Sequence, residues 1–293
     1  KFKQHSVDIK RFGQSRGERE LAEYIQGLGL DINTRDRQLI KPHELDIVIP
    51  AHKIAIEYCG LYWHSDIHRR MSRTYHVDKL NMVNAVGYRL ITLYEDEWNH
   101  KQDIVKSKLR SILRVGTDCS VYARRCNVVS PTNRQTRELL NAHHIQGSGR
   151  GSQKLGLELD GRLVAVMVFI KHDNGVYELN RFATTTSVVG GFSKLLAHFK
   201  RSCDWKQIFS YADRRWSEGG LYETNGFEQH SITKPSYWYL TPHKDARIHR
   251  SHFRHDKLAD KLTDYDSTLT EFENCDRNGI LRVWDCGLIK YVQ

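Results

Sequence analysis

Two short apolar runs, LDIVIP (45–50) and KIAIEYCG (53–60), are parted by only Ala51 and His52. Apolar runs this short and this close satisfy their backbone groups most simply by pairing with each other, so the stretch predicts a strand hairpin. That hairpin is the sheet around which the first part of the chain has to fold. Before it, Leu21, Ile25 and Leu28 recur at helical spacing, with Ser15 and Glu18 placed as a capping box and glycines 27 and 29 as a stop. After it, 69–87 reads as a helix, YRLITLYE (88–95) as a third strand, and 98–115 as a helix with apolar residues at 104, 105, 109, 112 and 113. Helix, hairpin, helix, strand and helix make an α/β unit over residues 1–118.

A second unit is expected over 119–293. Ser130 and Pro131 open a helix through Ile145, with the proline in its first turn. Strands KLGLELDG and RLVAVMVFIK are joined by Asp160-Gly161, a strong hairpin signal. A strand (GVYELNRFAT), a glycine-led helix (VVGGFSKLLAHFKRSC), another strand (KQIFSYAD) and a short turn and helix follow. From about Thr241 the chain is a basic tail, and no repeat of 20 to 50 residues is evident.

The 293 residues carry 45 Lys and Arg against 35 Asp and Glu, a net charge of +10 that favours a polyanionic partner. No apolar run spans a membrane, and the polar, basic start lacks the apolar segment of a secretion signal, so a cytosolic location is expected. The six cysteines, at 59, 119, 126, 203, 275 and 286, contain no CxxC pair, which argues for reduced thiols rather than a disulfide scaffold.

Acidic and histidine side chains rim the first sheet: Asp46 starts one strand, Glu57 ends the next, Glu95 or Asp96 ends the third, and His64 follows the hairpin. Carboxylates held this way suit hard divalent cations, and a histidine suits proton transfer. Taken singly, Asp46 and Glu57 also fit solvated edge positions, Glu18 a plain cap, and His64 with His68 a zinc pair lacking further partners. The blocks SRGERELAEYIQGLGL, ELDIVIP, IEYCGLYWHSD and LITLYEDEW, in order over residues 15–98, resemble the EDxHD homing endonucleases. These are relatives of the very-short-patch mismatch repair nuclease within the PD-(D/E)XK fold. The resemblance implies a PD-(D/E)XK-like first domain in an α/β (α+β) chain, with Glu18, Asp46, His64 and Asp96, or its rival Glu95, as catalytic residues. It implies Mg²⁺ (or Mn²⁺) on Asp46, Glu57 and the Tyr58 backbone. It also implies a phage-encoded, site-specific DNA endonuclease in a bacterial cytoplasm. The repair nuclease's zinc cluster has no counterpart here, so no zinc is expected.

In the second unit, LYExxGF and the glycines of TTSVVGGFSKLL are similar to the acyl-CoA acetyltransferase fold. Its pyrophosphate loop would want Gln or Arg at Ser187 and Gly or Ala at Phe192. The HHIQG, VVGG, SYADRRWS and RVWDCG pattern looks like a domain appended to phage homing endonucleases, which implies an acetyltransferase-like fold used on double-stranded DNA. Arg150, Arg181, Arg214, Arg215, Lys244, Arg247, Arg250, Arg254 and Lys257 are then the expected DNA contacts. No dimer seam stands out, and a monomer is expected. An acyl-CoA-dependent acetyltransferase and a non-catalytic DNA-binding protein are the alternatives.

Overall fold

The structure, a computed structural model, describes residues 14–68, 72–116 and 120–293. The chain divides into two units that interleave in sequence: Lys1–His100 with Lys234–Gly287, and Lys101–Thr233 with Leu288–Gln293. The division falls at residue 100 rather than 118, and the segment read as the second unit's basic tail lies largely in the first unit.

In chain order the first unit begins with α1 (Arg16–Gly27), β1 (Asn33–Asp36), β2 (Leu45–Ile49), β3 (Ile54–Cys59), α2 (Tyr75–Ala85), β4 (Arg89–Tyr94) and α3 (Glu95–His100). The second contains α4 (Gln102–Leu113), β5 (Ser120–Tyr122), β6 (Asn127–Val129), α5 (Asn133–His143), β7 (Gln153–Leu159), β8 (Arg162–Lys171) and β9 (Val176–Thr184). It continues with β10 (Ser187–Val189), α6 (Gly191–Ser202), β11 (Gln207–Asp213), α7 (Gly220–Glu223) and β12 (Glu228–Ile232). The chain then returns to the first unit with β13 (Tyr237–Leu240), β14 (Ile248–His249), α8 (Glu271–Arg277) and β15 (Leu281–Trp284), and ends in the second with β16 (Leu288–Val292). Among the described residues no helix is long and apolar enough to cross a membrane.

The expected hairpin forms, with Ile49 opposite Ile54 across Pro50–Lys53. It lies in a four-stranded sheet of order β1-β2-β3-β4, antiparallel except for the parallel β3–β4 pair that α2 connects. All of β3 is buried, as a central strand covered on both faces must be. Ser15 and Glu18 form the capping box, and Leu21, Ala22 and Ile25 bury the inner face of α1. Gly17 lies directly over Tyr58, where a Cβ would overlap the phenol ring. Gly17→Ala is therefore expected to lower stability by about 1–3 kcal/mol, the usual cost of overpacking, read as a shift in the urea midpoint. The helix expected over 98–115 is two helices, broken at Lys101. The returning segment adds a three-stranded sheet, β14-β13-β15, whose Leu240, Leu281 and Val283 pack on Cys59, Leu61 and Tyr94.

The second unit is built on a seven-stranded sheet of order β12-β16-β11-β9-β8-β7-β6. Asp160 and Gly161 both adopt positive φ between β7 and β8, the turn that Asp-Gly favours. Thr132, not Ser130, caps α5 in a box with Gln135, which puts Pro131 outside the helix rather than in its first turn. Phe169 and Phe199 stack at 3.7 Å in the core between sheet and α6.

Candidate functional site

Adjacent strands place Asp46 (β2) and Glu57 (β3) in one buried neighbourhood. Asp46 Oδ2 accepts the Tyr58 N–H at 2.7 Å, and Glu57 Oε1 is ion-paired with Lys79 of α2, both side chains almost wholly buried. Glu57 Oε2 is buried with no hydrogen-bond partner. Burial raises the pKa of Asp46, reinforced by the charges of Glu57 and Glu18, and burial likewise raises that of Glu57 against the pull of Lys79. Glu18 of α1, itself raised by burial, adds its charge to this group. Asp46 and Glu57 are thus the carboxylates here that could hold a divalent cation, with Lys79 offsetting part of their charge. Sequence reading missed Lys79, although it shares a helix face with the apolar positions 80 and 83.

The other expected residues have partners of their own. Asp96 lies in α3, where the Arg247 Nε donates to both its oxygens at 3.0 and 3.1 Å and the Arg247 N–H to one of them at 3.1 Å. Arg247 also pairs with Glu97 at 2.9 Å. Glu95 accepts the Leu61 N–H at 3.0 Å. The His64 ring stacks on His76 at 5.2 Å, and burial, with Lys79 nearby, lowers its pKa to about 4. The side chain of His68 lies outside the described residues.

The basic positions are equally divided. Arg247 is buried in its acidic pair, and buried Arg215 pairs with Asp213 at 2.8 Å. Exposed Arg254 pairs with Asp256 at 3.1 Å, while Arg150, Lys244, Arg250 and Lys257 are exposed and Arg214 is half-buried. Arg181, half-buried, donates to the Gly147 and Asn180 carbonyls and to Asn180 Oδ1.

In the second unit, parallel β9 and β11 pair only from Val176 opposite Gln207 to Leu179 opposite Ser210. Beyond that point β9 runs on to Thr184 with no strand partner on its β11 side among the described residues. Ser210 Oγ donates to the Leu179 carbonyl at 2.7 Å and lies 3.0 Å from the Tyr222 Oη. The phenol of Tyr222 therefore sits where the strands part, and burial raises its pKa, so it is protonated at neutral pH. Sequence reading singled out LYExxGF but gave Tyr222 no role. Arg181 is on the same stretch of β9, and His144 is driven down to about 3 by burial, then by the charges of Arg181, Lys108 and Lys101. Gly190, at φ 74°, leads into α6, whose first turn has no side-chain cap. Phe192, in the place where a small residue was wanted, is turned into the core, edge-on to Phe182 at 5.2 Å, so it leaves the helix end clear. Parallel pairing of β10 with β5 and the bonds from Lys194 Nζ to the Ala123 and Cys126 carbonyls hold this turn in place.

No family model matches the chain, and no curated protein matches it. Solved structures do. It is similar to the ribosomal-protein-S18-alanine N-acetyltransferase of Escherichia coli at 16% identity and a TM-score of 0.31, over 36% of this chain and 80% of that one. It is similar to Ard1 from Thermoplasma volcanium at 10% identity and a TM-score of 0.33, over 58% and 97%. It is also similar to N-acetylglutamate synthase from Neisseria gonorrhoeae, solved with coenzyme A and N-acetyl-glutamate, at 14% identity and a TM-score of 0.34, over 89% and 54%. None of these structures is a nuclease, and the expectation of a phage homing endonuclease that hydrolyses DNA with a divalent metal is corrected accordingly. The solved structures this chain is similar to are acetyltransferases, the reading that was kept as the alternative.

Proposed function

We propose that the unit Lys101–Thr233 with Leu288–Gln293 is an acyl-CoA-dependent acyltransferase that acts on an amine. The parting of β9 from β11, with a protonated phenol at its apex, is the observation that carries this reading. An unpaired strand edge binds an extended chain of amides as it would bind another strand, and the arm of an acyl-CoA is such a chain. The first turn of α6 after Gly190 has no side-chain cap, and an uncapped helix start suits phosphate. The acyl donor supplies the activated thioester.

The chain's own residues supply the proton handling. Half-buried Tyr222, held beside Ser210, gives its proton to the departing thiolate. Arg181, Lys101 and Lys108 make the region electropositive, which disfavours an ammonium and keeps an acceptor amine in its nucleophilic form. Isothermal titration with acetyl-CoA is expected to show one site per chain with a dissociation constant on the order of 1 µM–1 mM, the ordinary substrate range. Absence of any binding in that range would overturn the proposal.

A further inference from the structure

Cys59, His64 and His76 bring one potential ligand atom each to within 4.8 Å of one another, the only such group of His, Cys, Asp and Glu donors among the described residues. Cys59 ends β3, His64 follows on the loop whose N–H donates to the Gly60 carbonyl, and His76 is in the first turn of α2. The Cys59 Sγ and His76 Nδ1 are 3.9 Å apart. His64 Nδ1 is buried with no hydrogen-bond partner. A neutral imidazole that leaves a ring nitrogen unsatisfied in a closed space is costly unless something binds there.

We infer that Cys59, His64 and His76 form a zinc site. A tetrahedral zinc with sulfur at about 2.3 Å and nitrogen at about 2.0–2.1 Å sets its donors roughly 3.3–3.6 Å apart. The three side chains need to close by only about 1 Å to reach that spacing. One thiolate and two imidazoles are a borderline-soft set that suits zinc and excludes Mg²⁺, which takes oxygen. On binding, the Cys59 thiol loses its proton to solvent, the new sulfur–zinc bond forms, and the two imidazoles donate neutral nitrogen lone pairs. The bound ion adds one net positive charge close to Lys79, and the Glu57 and Asp46 carboxylates both face this combined charge. The rings of Tyr75 and Tyr94, 5.2 and 5.7 Å from His76, wall the site. Three protein donors leave a fourth position open. Sequence reading expected no zinc because the repair nuclease's zinc cluster has no counterpart in the chain. These ligands come from a strand end, a loop and a helix that only the folded sheet brings together.

The test is titration of the full chain, purified metal-free, with Co²⁺ and then Zn²⁺. The expected result is one equivalent of Co²⁺ with a near-ultraviolet thiolate-to-cobalt charge-transfer band, displaced by one equivalent of Zn²⁺, and a rise in the melting temperature with Zn²⁺. Cys59→Ser is expected to lose the charge-transfer band, and His76→Ala to weaken binding at least 10-fold. A folded wild-type chain that gives no thiolate band with Co²⁺ would overturn the inference without recourse to any variant. So would a Cys59→Ser chain that binds zinc as tightly as the wild type.

Discussion

Tyr222→Phe is expected to lower kcat for acyl transfer by about 10²–10⁴, the usual contribution of a positioned acid, with acetyl-CoA affinity essentially unchanged. The ring of Tyr222 packs edge-on to Phe192 at 6.0 Å and stacks on Tyr291 at 5.0 Å, contacts that phenylalanine preserves. The variant therefore removes only the hydroxyl beside Ser210, the proposed proton source at the point where β9 and β11 part. Steady-state release of free thiol against a panel of amines, paired with acetyl-CoA titration, separates the two effects. Unchanged kcat in a variant that binds the donor normally would remove Tyr222 from the chemistry. A variant that no longer binds the donor would instead place it in the binding site.

The second large effect is on stability. Lys79→Met should destabilise the first unit by about 3–5 kcal/mol, because it leaves the Glu57 carboxylate buried without its cation and with Asp46 close by. Both side chains of the pair are only 6% exposed, so solvent can do little to rescue the lone carboxylate. Replacing both partners, Glu57→Gln with Lys79→Met, is expected to recover most of that loss, since no uncompensated charge remains. Urea unfolding of the single and double variants measures the difference directly. A Lys79→Met chain within about 1 kcal/mol of wild type, the scale of an exposed pair, would show that water reaches Glu57 after all.

Local signals in the sequence account for much of what forms. The capping box of Ser15 and Glu18, the hairpin at 45–59 and the Asp160-Gly161 turn were legible because each is decided within a few residues by hydrogen-bonding groups and allowed backbone angles. The break at Lys101 was not, because apolar spacing runs through it with no proline or glycine to mark the interruption. The short run LIKYV (288–292) at the end of the chain was equally easy to overlook. There, β16 inserts between β11 and β12, and nothing local says that a terminal strand will join a sheet begun far earlier.

The candidate sites divide in the same way. Asp46 and Glu57 were legible as acids on neighbouring strands, yet Lys79 was not, since its partner lies 22 residues away. Asp96 has the sequence character of a site acid, but Arg247, 151 residues distant, holds its carboxylate. By itself the sequence determined the hairpin, most of the helices and the chemical types available for a site. Only the tertiary structure decided which strands share a sheet, that 234–287 returns to the first unit, and which charges are paired. Backbone geometry is set by near neighbours in the chain, whereas pairing and burial are set by whichever distant segment packs alongside, and that is fixed only when the whole core forms.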